Sequence, residues 1–584
     1  MTEIVPSQRM PQGQGRMSRW QLAVVGAVVA LAAGIGLVLG FTLVGQRASG
    51  ALGAAASYLP ADTVMYGETR LDLSPTQAGS LRAILHRFPA ADEDVVLLDA
   101  IGDALDQGFS AAGTSLTYDK DVASWFDGRV AFAALDYPVA ANTDVANAKL
   151  PRAVALLGVR DAGAATTFGD ALRDLAGSSG VTLTSSQHAG VTIWSSTDSE
   201  TNSSFAYAVT PDELLIANGR ASVETLLDVH VGSQSLGARQ DLQALIGQLP
   251  TDRVGFFAVD MKQMVHELRT ELQAKDPAVG ALLDPYINQV PALAVAALSL
   301  EDDAFVLTGA SSMPGGDLAP ANSRRDLAAR VPGDALLFAD GSDVGKRLAQ
   351  VTTAMKAALA AQPSGSEMTK QLDQVESALG AKLEDFVSWI GDGALAVGAT
   401  NGTPYGGLVL EANDVQAATA RLRQLRSLAE LGVGQAGAQI KVSTATVAGV
   451  EVTTISATAP GDMSLAPGVS RQVVVQYAIK DDTVLIGFGD HFVGRSLGLA
   501  PGDSLAASSR FQQAVGRFGG DDNAGVTFLD LAGVRQAVEL TMAPMLPDDY
   551  ATQVKPNTEP FDYLANVQRV EGGVVVSRGG VVLR

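Results

Sequence analysis

The chain has 584 residues, 47% of them hydrophobic, with 63 acidic against 41 basic side chains and a formal net charge of -22. That length and apolar content can bury a large core and call for more than one domain. The charge repels nucleic-acid phosphates, which argues against nucleic acid as a partner; the absence of cysteine excludes disulfides, thiolate metal sites, a cysteine nucleophile and a lipoprotein anchor.

Residues 1–20 carry Arg9, Arg16 and Arg19 and end on Trp20; residues 21–45 then run without a charge, and Arg47 is the next basic residue. At the helical rise of ~1.5 Å such a run spans roughly 37 Å, more than the hydrocarbon core of a bilayer. The flanking arginines and the interfacial tryptophan place the N-terminus in the cytoplasm and everything after about residue 50 outside. Ala54, Ala55 and Ala56 offer a peptidase site, so a cleaved signal peptide is the rival reading. The apolar run is about twice a usual signal core, which favours a retained anchor. Residues 46–56 read as a linker.

Beyond the anchor the sequence repeats itself at a nearly constant offset, far longer than the period of a solenoid unit, which marks duplicated domains. FAYAVTPDELLIANG at 205–219 matches VQYAIKDDTVLIGFG at 475–489, setting Tyr207 against Tyr477 and Gly219 against Gly489. VGFFAVD at 254–260 answers AGVTFLD at 524–530, AGVTI at 189–193 pairs with AGVEV at 448–452, and VASWFDG at 122–128 with FVSWIGD at 386–392. A fifth block sets YLPADTVMY at 58–66 against RVPGDALLF at 330–338. Short alternating runs bounded by Gly, Asp or Pro predict strands, and apolar residues spaced by three and four predict helices at 162–177 and 413–429. The expected fold class is therefore α+β: an N-terminal transmembrane helix over 21–45, then two duplicated lobes, 57–312 and 324–584. Each lobe is expected to hold its own mainly antiparallel sheet with packed helices, joined by a Pro/Gly linker at 313–323.

Chemistry is harder to find. The five histidines, His86, His188, His230, His266 and His491, lack the close spacing of a helical metal pair. The acidic groups at Glu301–Asp303, Asp481–Asp482, Asp521–Asp522 and Asp548–Asp549 lack the ligand pattern of a calcium loop and read as turns. Gly-x-Ser-x-Gly and Ser-x-x-Lys are both missing. GSDVGKR at 341–347 is one residue short of a phosphate loop, with Arg347 where Ser or Thr would hold magnesium, and GFGDHFVG at 487–494 has the wrong spacing for a dinucleotide turn. His491, just beyond a predicted strand, is the histidine to test first, although a surface loop residue is the plainer reading. Trp125 and Trp389, in matching places, read as core anchors. No catalytic, cofactor-binding or metal-binding residue and no cofactor is assigned.

The strand opening YLPADTVMYGETRLD at 58–72, the Ser-Trp before a strand at 124–125 and 388–389, and the paired strands around AGVTI carry a resemblance. On these motifs the chain resembles the uncharacterised bacterial membrane-anchored family known as domain of unknown function 3352 (DUF3352). The resemblance implies a bacterial, membrane-attached protein and supplies no reaction, cofactor or site. The expected function is a single-pass envelope protein, not an enzyme, that binds or scaffolds an envelope polymer, lipid or protein. The alternatives are an extracytoplasmic hydrolase with its site between the lobes, and an inert spacer without a ligand.

Overall fold

The computed structural model describes residues 52–89, 97–111, 114–136, 152–178, 181–198, 203–232, 234–275, 290–315, 319–361, 365–400, 403–431, 439–458, 472–489, 491–541, 543, 546–547 and 549–584. Alternation of large apolar with small or polar residues sets the strands, because successive side chains leave opposite faces of a pleated chain. In the first half these are β1 (Met65–Arg70), β2 (Phe126–Ala134), β3 (Ala153–Val159), β4 (Thr184–His188), β5 (Val191–Asp198), β6 (Ser203–Val209), β7 (Glu213–Ala217), β8 (Gly255–Asp260), β9 (Leu293–Glu301) and β10 (Ala304–Ser312). The second half supplies β11 (Ala335–Gly341), β12 (Ile390–Thr400), β13 (Thr403–Ala412), β14 (Gln439–Val447), β15 (Val450–Thr458), β16 (Gln472–Lys480), β17 (Thr483–Phe488), β18 (Gly525–Leu529), β19 (Phe561–Glu571) and β20 (Val574–Leu583).

Hydrogen bonding joins the first ten strands in the order β4-β5-β6-β7-β3-β2-β1-β8-β9-β10, every neighbour antiparallel. The second ten run β14-β15-β16-β17-β13-β12-β11-β18-β19-β20, the same order strand for strand. The last strand of each half then pairs with the other: β10 lies antiparallel to β20, with Ala304 opposite Val582 and Ser312 opposite Val574. Thr308 faces Arg578, its own equivalent in the repeat, so a pseudo-twofold axis passes between these two positions.

The expected two lobes with a sheet each are thereby corrected: the described strands form a single sheet of twenty. The physical reason is the edge. A β10 or β20 left at the margin of its own sheet would expose a row of unpaired N–H and C=O groups, and pairing the two satisfies both. The transmembrane helix expected at 21–45 lies outside the described residues, and no helix among those described is long and apolar enough to cross a membrane.

Helices cover both faces of the sheet. In the first half the helices are α1 (Pro75–Leu85), α2 (Leu97–Ala111), α3 (Ala162–Ser178), α4 (Arg220–Gly232), α5 (Gln240–Ile246) and α6 (Met261–Lys275). One face packs Tyr66, Ala131, Leu156, Leu215 and Ala297 against Leu226 of α4 and Leu242, Leu245 and Ile246 of α5. The other packs Val130, Leu157 and Ile216 against Phe109 of α2 and Phe168 and Leu172 of α3, with Trp125 1% exposed among them. The second half adds α7 (Val344–Ala361), α8 (Gly365–Leu379), α9 (Val415–Leu431), α10 (Phe492–Leu497), α11 (Ser509–Phe518) and α12 (Leu531–Thr541). There α10 and α11 cover Phe338, Val409 and Phe528, while Trp389 and Leu410 meet Leu422 of α9 on the opposite face.

The hairpins β4–β5 and β14–β15 turn on Ala189-Gly190 and Ala448-Gly449, all four residues at positive φ between 47° and 80°. That is the tight hairpin turn whose twist matches the strands, with alanine held in a region it enters reluctantly.

Candidate functional site

Helix α11 places Phe511, Ala514, Val515 and Phe518 in the core, and the chain then turns at Gly519 and Gly520, the latter at φ 83°. Arg517, next to the last core anchor, reaches across the central seam instead. Its guanidinium donates to Asp303 at 2.6 and 3.0 Å and to Glu301 at 2.5 Å. Arg578 of β20 donates to the other oxygen of Glu301 at 2.7 Å. Arg569 of β19 donates to the Gly519 carbonyl at 3.0 Å and stands 3.5 Å from Glu571. Two guanidiniums of the second half thus grip the β9–β10 turn of the first, with Arg569 held to Gly519 and Glu571 beside them.

Beside them lies a cleft of about 550 Å³, within the range of small-ligand sites, lined by Arg517, Arg569, Arg578, Glu571, Val576 and Thr308 and walled by the 248–250 and 518–520 turns. Those two turns occupy equivalent places in the repeat, so the cleft straddles the pseudo-axis. Thr308, on its floor, is 4% exposed, and its hydroxyl has no protein partner. Asp303 is held below the usual carboxylate range by the Arg517 hydrogen bond, and Arg517 is raised in turn.

Behind the first wall sits Arg253, 1% exposed. One nitrogen donates to the Pro250 carbonyl at 3.1 Å and the group lies 4.7 Å over the Phe256 ring, while Nε and Nη2 have no protein partner. Burial lowers its pKa, against the pull of the Glu68 charge. Glu68 accepts from Tyr66 at 2.5 Å and from the Gly53 amide at 3.2 Å.

In the second half the equivalent acid is Asp340, which accepts from Arg325 at 3.1 Å and from the Val526 amide at 2.7 Å, while Asn523 stands where Arg253 does and bonds the same Arg325 at 2.6 Å. Both halves thus bury a carboxylate at one place, but its cationic neighbour comes from opposite ends of the repeat. A second cavity, about 460 Å³, opens above Arg325 and Asp340 and shares Gly516 and Gly520 with the central cleft.

The family model for "Protein of unknown function (DUF3352)" matches residues 23–566, nearly the whole chain. The chain belongs to the DUF3352 family. No curated protein and no solved structure matches it.

In this DUF3352 member His188, His230, His491 and the glycine turn at 341–347 are not among the residues lining the cleft. His491 is the exposed N-terminal flank of α10. His188 bonds Asp228 at 2.6 Å, and the His230 ring stacks on Tyr58 at 3.9 Å. Gly341–Arg347 runs from the end of β11 into the first turn of α7, with the connection at Ser342 and Asp343, the latter at φ 53°. Of the acidic groups, Glu301 and Asp303 receive guanidinium hydrogen bonds, and Asp302 accepts from Ser80 at 2.8 Å. Among the described residues no group of three or more His, Asp or Glu is placed to hold a metal ion.

Arg517, Arg569, Arg578 and Thr308 were invisible to motif reading. The repeat does carry a signal for them, because at the equivalent places of the first half the three arginines have Gly247, Ser299 and Thr308 as counterparts.

Proposed function

We propose that this DUF3352 member is a membrane-tethered, non-enzymatic binding protein of the bacterial envelope, with the cleft over the pseudo-axis as its ligand seat. The observation that carries this reading is the cleft itself. It opens where the two halves meet, and its lining includes a buried hydroxyl, that of Thr308, with no hydrogen-bond partner in the protein. Buried polar groups are ordinarily hydrogen-bonded, so unsatisfied ones at a cavity wall point to a bound partner. Holding a ligand requires only that polar donors converge on the cleft, which its arginines, Gln248 and Thr308 provide.

The tether rests on the uncharged run at 21–45 and its preceding arginines, and the family match begins at residue 23, inside that run. Fractionation of cells expressing the full chain, with protease added from outside, tests the tether: the chain should sediment with membranes and be cleaved after residue 50. Native mass spectrometry of the full chain extracted in mild detergent tests the seat. A retained molecule should be lost in Gln248→Trp, which fills the cleft from its exposed rim. A retained mass indifferent to that substitution would remove the cleft as the seat, and a chain recovered only in the soluble fraction would remove the tether.

A further inference from the structure

The central cleft is also a place where the two copies differ in charge. Three positions that are Gly247, Ser299 and Thr308 in the first half are Arg517, Arg569 and Arg578 in the second, and all three arginines line the cleft. A side chain required by the shared fold would be needed in both copies, since strand order and register are the same. These three are not. Part of their purpose is structural: Arg517 and Arg578 bind Glu301 and Asp303 across the seam, and Arg569 caps the Gly519 carbonyl.

That accounting leaves donors over. A guanidinium offers five N–H groups. Arg578 spends Nη2 on Glu301, Arg569 spends Nη1 on Gly519 and turns Nε towards Glu571 at 3.5 Å, which leaves their other N–H groups, and the Thr308 hydroxyl in the same lining is unpartnered and buried. The carboxylates nearby, Glu301, Asp303 and Glu571, are each already in contact with one or two of these arginines. The unmet demand in the cleft is therefore for acceptors.

Resting on the reading of this cleft as a ligand seat, we infer that it takes a phosphate group borne by a larger molecule, gripped by Arg569 and Arg578 with the Thr308 hydroxyl donating from the floor. Guanidinium forks match phosphate oxygens bidentately, and donors from a floor and a side suit a tetrahedral anion better than a planar one. At about 550 Å³ the cavity exceeds a bare phosphate and leaves room for the group that carries it. A phosphorylated polymer or soluble ester and a lipid headgroup both present this chemistry.

The test is isothermal titration of the full chain, held in phosphatidylcholine nanodiscs, with glycerol 1-phosphate and, as the neutral control, glycerol. Glycerol 1-phosphate should bind and glycerol should not. Arg569→Gln with Arg578→Gln should weaken binding at least tenfold, and Thr308→Val should weaken it about threefold or more without lowering the melting temperature, because that hydroxyl makes no hydrogen bond within the fold. The valine variant separates the binding role from the seam contacts of the arginines.

Discs containing phosphatidylglycerol identify the source. If they suppress glycerol 1-phosphate binding, the phosphate is a lipid headgroup; if they do not, it is soluble or polymeric, and both results support the inference. Equal binding by wild type and Thr308→Val, or no binding of the phosphate ester, overturns it. A neutral molecule retained by the wild type and lost in Gln248→Trp would overturn the phosphate while leaving the ligand seat standing; no ligand of either kind would remove both.

Discussion

Glu213 gives the sharpest stability test. It opens β7 opposite Gly158, is fully buried, and meets Arg129 at 2.9 Å. Burial pushes its pKa from the ordinary 4.5 up to about 8, the Arg129 charge opposing and Asp212, Asp127 and Glu68 adding to the rise. The folded state therefore holds this proton more tightly than the unfolded chain. For a carboxylic acid raised in this way, the stabilisation is fully present below pH 4.5, fades as pH rises from 4.5 towards 8, and is gone above. At about 1.4 kcal/mol per pH unit the ceiling is about 5 kcal/mol, and relaxation around the buried charge brings the expected loss to about 2–3 kcal/mol.

Glu213→Gln keeps the shape and removes the titration. Denaturant unfolding of wild type and variant at pH 5, 6.5 and 8 should give similar stabilities at pH 5 and a variant more stable by about 2–3 kcal/mol at pH 8. Taking the difference cancels every other titrating group shared by the two proteins. Parallel pH profiles, or a variant weaker than wild type at pH 8, would refute the buried-proton argument and make the Arg129 ion pair the dominant effect.

The remaining tests address the other half, the seam and the turns. Asp340→Ala strands the buried Arg325 guanidinium, whose side chain is 3% exposed; the expected cost is about 3–5 kcal/mol in denaturant unfolding. Gly580→Ala would drive a Cβ to 2.3 Å from the Phe305 carbonyl oxygen at the β10–β20 seam, so calorimetry should show a loss of about 1–3 kcal/mol and a single transition splitting in two as the halves uncouple. Ala448→Gly relieves a positive φ of 50° and should stabilise by a few tenths to about 1 kcal/mol, whereas Ala448→Val should destabilise.

What could be read from the sequence was local. The helices near 162–177 and 413–429 and the buried positions of Trp125 and Trp389 are each legible within a short stretch, from periodicity and from the matched Ser-Trp blocks. The continuity of the sheet is not encoded that way. β10 meets β20 from the far end of the other copy, and within each half β7 skips to β3; neither pairing leaves a local mark, because a strand's pattern says which face is buried and not which strand lies beside it. The cleft escaped for a related reason: Arg517, Arg569 and Arg578 sit on a helix end and two strands, too far apart in sequence to form a motif. Matched positions in the repeat pointed to structure; the mismatched ones were the informative positions.

The pseudo-axis also explains why the cleft had to become asymmetric. Thr308 and Arg578 are equivalent by duplication and directly opposite in the ladder, so two identical copies would place the same side chain on both sides. Two arginines there would set like charges against each other in the middle of a sheet, which is destabilising, and two threonines would leave the cleft without that cation. Only one copy can carry the guanidinium. The other is then free to supply a short hydroxyl on the floor, and it is this hydroxyl that remains buried without a partner. Joining the halves through their last strands thus satisfies the β10 and β20 edges and, at the same seam, requires the divergence from which a ligand site can arise.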